Sequence, residues 1–387
     1  GAYALGIVCA DCPDRLIAAR KDSPLILGYG EGAHYLASDV TALIKYTREV
    51  CYLDDGEIAE LTADHLWVYD AYLRPVEKER CHVDWEISAA EKGGYEHFMM
   101  KEIHEQPRAV RDTLSPRIKE NEDGEKIIDL SETGLTDEDF TNVSRVYLIG
   151  CGSAYHVGMA ARYVLEKAAR VPCEVDLASE FRYRDPILEE SGLVIIISQS
   201  GETADSLAAL RLCKERGVRT LAVVNVVGSS IAREADSVIY TWAGPEIAVA
   251  TTKAYSTQLA ALYLIAVHMA EVRGQITPAR REALIDAMLA LPDQIERVLS
   301  DKERVQWYAN KMAACKDVFF IGRGLDYAIS MEGSLKLKEI SYVHSDAYAA
   351  GELKHGTISL ITDGVPVIAL ATQKNVYEKT ISNAKET

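Results

Sequence analysis

An internal repeat constrains the fold of this chain more than any other sequence feature. Residues 146–152 (VYLIGCG) are matched by residues 318–324 (VFFIGRG), and Gly192 before the apolar run 193–197 is matched by Gly364 before the run 365–369. Both matches have an offset of 172 residues. Two matches in one register predict the tandem duplication of a single folding unit.

The first copy alternates apolar runs with helical patterns. Strands are predicted at 146–149, 193–197, 220–224 and 238–240, with helices between them and a long helix over 257–272. This alternation predicts an α/β fold, a parallel sheet wrapped by helices. The counterparts of the last two strands would lie beyond residue 387, so we expect the second copy to be truncated.

A different pattern precedes the repeat. Residues 1–72 hold short apolar runs separated by turn signals, which predicts an antiparallel, β-rich segment. One short helix is expected over 40–45, with Ser38 or Asp39 as its N-cap because a short oxygen-bearing side chain accepts from free N–H groups of the first turn.

The stretch between the β-rich segment and the repeat is predicted to be a helical connector. Helix formers dominate residues 86–114, and Pro107 suits the first turn of a new helix. Residues 119–126 are almost entirely charged and predict a solvated loop.

Composition excludes several classes of function. The formal charge of −17 repels nucleic acid and anionic lipid, and the most apolar stretch, 259–267, is far shorter than the ~20 residues that span a bilayer. Eight scattered cysteines indicate a reducing cytoplasm instead of a disulfide framework. Cys9 and Cys12 have redox-motif spacing, but no helix pattern follows and no second pair completes a zinc site. No cofactor or metal is predicted.

The most informative local motif is the turn at residues 198–203 (SQSGET), between a buried strand and a helix. Its hydroxyl side chains and the free N–H groups of the first helical turn converge, and the helix dipole adds positive potential there. Such a turn can bind phosphate without lysine. Residues 150–153 (GCGS) follow the neighbouring strand, so both turns should meet at the carboxyl edge of the sheet. The alternative is an N-capped helix with incidental serines.

The second copy lacks most of these hydroxyls, since its equivalent turn, 370–375, reads LATQKN. This predicts a division of labour in which copy one binds phosphate and copy two supplies reactive groups. Glu332, Lys336 and Glu339 share one face of a helix predicted over 328–341, although spacing alone favours a solvated stripe of ion pairs. His355 lies in a glycine-bounded loop and could titrate near neutral pH, although a lone loop histidine is more often structural.

These motifs resemble those of one enzyme family along essentially the whole chain. Residues 198–205, 332–340 and 350–356 are similar to the sugar-phosphate loop and isomerase signatures of the glucosamine-6-phosphate synthases, the isomerising glutamine:fructose-6-phosphate aminotransferases. Residues 20–25, 38–39 and 54–57 resemble the later half of that family's class II glutaminase domain.

The resemblance implies a domain organisation. It predicts the C-terminal part of an α+β class II (N-terminal nucleophile type) glutaminase domain over 1–92 and a helical connector over 93–141. Two sugar isomerase (SIS) domains of flavodoxin-like fold would follow, at 142–298 and, truncated, at 299–387.

The resemblance also implies an activity, the conversion of fructose 6-phosphate and glutamine into glucosamine 6-phosphate and glutamate, the first step of amino-sugar synthesis. Glu339 would be the acid/base residue for proton transfer, Lys336 would lie near the sugar carbonyl, and His355 would open the ring from the neighbouring subunit of a homodimer. The implied substrate contacts are Ser153, Ser198, Gln199, Ser200, Thr203, the backbone at Val249, and Glu332.

Two departures from the family pattern stand out. Ala154 occupies a position where some members carry a hydroxyl, and no cysteine lies at the N-terminus, where the family has its nucleophile. We therefore expect the sequence as given not to hydrolyse glutamine. Two alternatives remain open, a non-catalytic phosphosugar-binding protein and a deglycase with two isomerase-type domains.

Overall fold

The computed structural model describes residues 2–83 and 91–387, and its N-terminal part, the head (residues 2–83), consists of antiparallel strands. Nine strands are described in the head: β1 (Tyr3–Cys9), β2 (Cys12–Lys21), β3 (Ile26–Tyr29), β4 (His34–Ala37), β5 (Glu49–Tyr52), β6 (Ile58–Leu61), β7 (Leu66–Tyr69), β8 (Pro75–Val76) and β9 (Cys81–His82). They form two sheets, ordered β1-β2-β6-β7-β8 and β4-β3-β5-β9. The predicted antiparallel, β-rich segment is confirmed.

The two sheets of the head share one core. Ala18 from the first sheet and Leu27 from the second are fully buried in it, together with Leu53. The predicted helix at 40–45 is shorter than expected, a 3-10 turn at Val40–Ala42. Asp39 is its N-cap and accepts a hydrogen bond of 2.7 Å from the Thr41 N–H.

The connector contains one long helix, α1 (Phe98–Leu114), and the predicted break at Pro107 is wrong. Proline has no N–H to donate to the carbonyl of Ile103, but the Gln106 side chain donates to that oxygen at 3.0 Å. The helix therefore continues through Pro107. The part of the predicted connector at residues 86–90 lies outside the described residues.

The charged stretch predicted as a loop is instead a hairpin. Strands β10 (Ile118–Glu120) and β11 (Lys126–Ile128) pair antiparallel, with Ile118 opposite Ile128. Ile128 is buried in the main core, and its burial holds the hairpin while the charged side chains remain at the surface.

The first α/β unit runs from residue 137 to residue 299. Its elements are α2 (Asp137–Asn142), β12 (Val146–Gly150), α3 (Ser153–Ala168), β13 (Cys173–Leu177), α4 (Ala178–Phe181), β14 (Leu193–Ser198), α5 (Ala204–Glu215), β15 (Arg219–Val224), α6 (Ser230–Glu234), β16 (Ser237–Tyr240), α7 (Lys253–Val272), α8 (Pro278–Leu289) and α9 (Leu291–Leu299). The strands are parallel in the order β13-β12-β14-β15-β16, which is the flavodoxin-like arrangement.

The second α/β unit repeats the first. Its elements are α10 (Lys302–Met312), β17 (Asp317–Gly322), α11 (Leu325–Ser341), β18 (His344–Ala349), β19 (Val367–Ala369) and α12 (Tyr377–Glu386). Its parallel sheet has the order β18-β17-β19, equivalent to β13-β12-β14. Helices α3 and α11 begin at Ser153 and Leu325, so the offset of 172 holds in the structure.

Helices α3 and α11 pack against each other and join the two units. The head contacts the first unit through a second core, in which Tyr52 of β5 packs with Val226 and Ile247. No helix within the described part of the chain is long and apolar enough to cross a membrane.

Candidate active site

A cavity of about 280 Å³ lies at the carboxyl edge of the first unit's sheet. Eight of the ten predicted site residues line it: Ser153, Ser198, Gln199, Ser200, Thr203, Val249, Lys336 and Glu339. Glu332 and His355 are not among its lining residues. The cavity thus combines the turn after β14 with the helix α11 of the second unit.

The serine-rich turn (residues 198–203) holds its hydroxyl groups in fixed directions. Ser198 Oγ accepts a hydrogen bond of 3.0 Å from the Gly201 N–H and lies 3.2 Å from Thr203 Oγ1. Ser200 Oγ accepts from the Glu202 N–H at 3.2 Å. A serine oxygen that accepts from the backbone keeps its own O–H free to donate to a ligand. The turn is therefore prepared to bind an anion.

Glycine is required in the middle of this turn. Gly201 has a φ of +67°, and a Cβ atom there would lie 2.0 Å from Ser229 Oγ. Both the left-handed backbone and the close approach exclude a side chain.

The carboxylate within the turn, Glu202, points away from the cavity. It accepts hydrogen bonds from Ser230 N and Ser230 Oγ, at 2.7 and 2.9 Å, and lies 4.0 Å from Arg20 of the head. Burial raises the pKa of Glu202, and the Ser230 bonds and Arg20 partly offset this increase. Its negative charge is thus directed to the head and not towards a bound anion.

A second wall of the cavity is the loop at residues 244–252, called the wall loop here, which follows β16. It presents Val249 and Thr251 to the cavity. Glu246 accepts from the backbone N–H groups of Thr252 and Ala254, at 2.8 and 3.2 Å, and so caps the first turn of α7.

The connector helix α1 holds the wall loop from behind. Glu102, which is 2% exposed, accepts from the N–H groups of Ile247 and Ala248, at 2.6 and 3.1 Å. Burial raises the pKa of Glu102, while those two N–H bonds lower it in part. On the same helix face, Glu105 pairs with Lys253 at 2.7 Å. This helix therefore sets the position of a cavity wall that begins about 145 residues later in the chain.

Two of the three charged groups on this face of helix α11 are largely shielded from solvent, while the third, Glu339, is exposed at 35% of its side chain. The side chains of Glu332 and Lys336 are 9% and 17% exposed, so the solvated-stripe alternative does not describe them. Lys336 Nζ contacts Glu339 Oε2 and lies 3.6 Å from Glu332 Oε1.

Glu332 is engaged with the first unit. Its Oε1 accepts from Ser153 Oγ and its Oε2 bonds to His156 Nδ1, both at 2.8 Å. Both carboxylate oxygens are thus occupied by residues of α3. Glu332 lies behind Ser153 and positions that hydroxyl at the cavity.

His355 lies apart from these groups. It ends a short 3-10 turn, Leu353–His355, and its side chain is exposed. His355 does not line the cavity of its own chain.

Sequence reasoning missed several residues at this site. Glu246, Thr251 and Gln258 also line the cavity, and His156 holds Glu332. Cys151 lines the cavity too, but it belongs to the turn 150–153 that was predicted at this edge. The polar residues after β16 offered a signal, because this loop too follows the carboxyl end of a parallel strand. Within the described residues, no group of three His, Cys, Asp or Glu side chains is placed to hold a metal ion.

A family model and similar proteins of known name indicate the same family for this chain. The SIS domain model matches residues 139–268 and 311–386. The chain is 54% identical over 386 residues to the glutamine–fructose-6-phosphate aminotransferase (isomerizing) of Caldanaerobacter subterraneus subsp. tengcongensis, covering 100% of this chain and 63% of that protein. It is 48% identical to the protein of the same name from Methanosarcina mazei, covering 100% of this chain and 62% of that protein.

A solved structure agrees with these relatives. The C-terminal domain of glucosamine-fructose-6-phosphate aminotransferase from Francisella tularensis has a TM-score of 0.73 and 39% identity, covering 76% of this chain and 82% of that one. The chain thus spans less than two thirds of the length of its curated relatives but most of this solved domain. It belongs to the SIS-domain family and, within it, to the group formed by the glutamine–fructose-6-phosphate aminotransferases (isomerizing).

Proposed function

We propose that the full-length protein converts fructose 6-phosphate and glutamine into glucosamine 6-phosphate and glutamate, and that this chain carries the isomerase part. The observation that carries the proposal is the cavity in which the serine-rich turn of one unit faces Lys336 and Glu339 of the other. Such a cavity has a neutral anion-binding end and a charged end suited to proton transfer.

The phosphate binds at the serine-rich turn. Ser198, Ser200 and Thr203 donate hydroxyl hydrogen bonds, and the start of α5 adds backbone N–H groups and a partial positive charge. Gln199, Ser153 and the backbone at Val249 line the same space and contact the phosphate or the sugar.

The reacting carbons of the sugar lie towards α11. Amino transfer needs ammonia to condense with the C2 carbonyl, and isomerisation needs a proton to move between C1 and C2. Glu339 accepts and returns that proton, and Lys336, held between two carboxylates, donates to the oxygen at the carbonyl end. Glu332 supports the substrate through Ser153.

His355 opens the sugar ring from the neighbouring subunit of a homodimer. Its exposed position outside the cavity of its own chain supports this role. A histidine can exchange protons with a ring oxygen near neutral pH, which ring opening requires.

The domain organisation follows the same assignment. Residues 1–92 are the later part of a glutaminase domain, residues 93–141 the connector, and residues 142–298 and 299–387 the two SIS domains. The SIS matches at 139–268 and 311–386 support the presence of two SIS domains in this part of the chain. The eight cysteines are free, which agrees with a reducing cytoplasm.

The test follows the amide nitrogen. The full-length protein is incubated with fructose 6-phosphate and glutamine labelled with ¹⁵N in its amide, and the sugar product is analysed by mass spectrometry. We expect ¹⁵N-glucosamine 6-phosphate and glutamate in equal amounts. Sugar binding without labelled product would instead indicate a phosphosugar-binding protein, and cleavage of a sugar–amine adduct would indicate a deglycase.

A further inference from the structure

The second unit contains a turn equivalent to the serine-rich turn, but it is filled by a side chain of the protein. This turn follows β19, and its backbone N–H groups at Thr372 and Gln373 donate to Asp326 Oδ2, at 2.8 and 3.3 Å. The Thr372 hydroxyl donates to the other oxygen of Asp326, at 2.5 Å. Asp326 is 2% exposed and belongs to the first turn of α11. Its carboxylate accepts hydrogen bonds from the turn after β19 instead of capping the N–H groups of its own helix.

The equivalent position in the first unit carries no charge. Residue 154, which is 172 positions before Asp326, is alanine, and Ala154 lines the sugar cavity. The helices that carry these two residues begin in the same way. Gly152 has φ 55° and ψ −125°, and Gly324 has φ 59° and ψ −123°. Because the backbones match, an aspartate at 154 would direct its carboxylate at the serine-rich turn as Asp326 is directed at residues 372 and 373.

We propose that Asp326 is an internal anion, which occupies in the second unit the place that the first unit keeps open for the phosphate of its substrate. The residue type at this helical position, Ala154 or Asp326, decides which unit binds a phosphosugar. This inference rests on the proposed function of the serine-rich turn.

Two observations on the second turn agree with a permanently filled site. Leu370 and Asn375 replace Ser198 and Thr203, so the turn has lost two hydroxyl donors, and the hydroxyl of Thr372, which replaces Ser200, is bonded to Asp326. Its N–H donors are already paired with a buried carboxylate, and a phosphate entering there would meet a like charge at close range.

The test places a carboxylate in the first unit, at the position equivalent to Asp326. Binding of glucosamine 6-phosphate to the full-length protein is measured by titration calorimetry for the Ala154→Asp variant and for Ala154→Asn, which has the same shape without the charge. We expect Ala154→Asp to weaken binding at least 100-fold. The fold-loss of affinity in Ala154→Asn should be at least ten times smaller than that in Ala154→Asp. Equal losses in the two variants, or an Ala154→Asp affinity within threefold of the unmodified protein, would overturn the proposal.

A third variant separates this inference from the proposed function. If Ser198→Ala combined with Thr203→Ala leaves affinity unchanged, then the substrate does not bind at this turn and the site assignment itself fails. If that double variant weakens binding and Ala154→Asp does not, only the role given to residue 154 is refuted.

A measurement on the unmodified protein keeps the proposal testable even if Ala154→Asp does not fold. Amide hydrogen exchange is followed with and without inorganic phosphate at millimolar concentration. Phosphate should slow exchange at residues 200–204 and should leave exchange at Thr372 and Gln373 unchanged, as it leaves exchange in α12. Equal slowing in both turns would show that the second unit binds phosphate despite Asp326, and would overturn the proposal.

Discussion

The turn after β14 and the turn after β19 occupy the same place in two copies of one unit, yet their backbone groups are satisfied in different ways. In the first, serine hydroxyls accept from N–H groups and remain able to donate to a ligand. In the second, the buried carboxylate of Asp326 accepts from the backbone and from Thr372. Under our proposal, the first turn receives an anion from the substrate, and the second already contains one from the protein.

The difference shows how a duplicated unit can take a new role without a new fold. The second unit keeps the strands and the helix α11, while Asp326 is bonded to the turn after its β19. Helix α11 packs on α3 of the first unit and brings Lys336 and Glu339 into that unit's cavity. Under the proposed assignment, binding and reactive groups come from different copies, so each can be altered separately.

The largest effect is expected for Glu339, the proposed acid/base residue that α11 brings to the cavity. In the full-length protein, Glu339→Gln should lower the rate of sugar isomerisation by about 10²–10⁴-fold, because glutamine keeps the shape of the side chain but cannot accept the proton. Product formation and glutamine hydrolysis are measured in parallel, and hydrolysis should be largely retained. Equal loss of both activities would contradict the assignment of Glu339.

The binding side is tested by Ser198→Ala combined with Thr203→Ala. Loss of two hydrogen bonds to a charged phosphate should weaken glucosamine 6-phosphate binding by roughly 2–5 kcal/mol. Calorimetry measures the affinity, and thermal unfolding should show that the fold is intact. A fall in turnover number at unchanged affinity would place these hydroxyls in the reaction and not in phosphate binding.

A smaller effect is expected from the helix behind the wall loop. Glu102→Leu leaves the half-buried N–H groups of Ile247 and Ala248 without this acceptor, which should cost about 1–3 kcal/mol and displace the wall. The Michaelis constant for fructose 6-phosphate should rise more than the turnover number falls. Glu102→Gln keeps an acceptor oxygen and should restore most of the affinity; if it does not, the charge of Glu102 and not its geometry is required.

The smallest effect on sugar binding is expected in the second turn. Thr372→Ala removes one hydrogen bond to the carboxylate of Asp326 and should lower the free energy of unfolding by about 1.5–3 kcal/mol, without changing sugar affinity. Chemical denaturation and calorimetry measure the two quantities. A loss of affinity would show that the second turn also contacts the ligand, and the contrast between the two turns would then be wrong.

The sequence predicted the features that depend on residues close together in the chain. The repeat, the parallel α/β class and the serine-rich turn follow from apolar runs, glycines and hydroxyls within a few residues of one another. These patterns reflect backbone requirements that are the same in any fold, and the structure shows them where they were expected.

The local sequence pattern gave wrong secondary structure at two places where one particular side-chain contact decided the outcome. Gln106 replaces the missing donor of Pro107, so α1 continues through a residue that usually begins or ends a helix. Burial of Ile128 turns a charged stretch into a hairpin. In both cases a particular contact outweighed the average preference of the residues.

Only the tertiary structure decided which groups meet at the cavity. Glu332 reaches Ser153 across 179 residues, Glu102 reaches Ile247 across 145, and Asp326 reaches Thr372 across 46. Spacing on one helix correctly placed Glu332, Lys336 and Glu339 on a common face but could not say what that face would touch. The partner is chosen by how α3, α11 and α1 pack on the sheet, because a side chain a few ångströms long can only bind what the packing of whole elements brings within its reach.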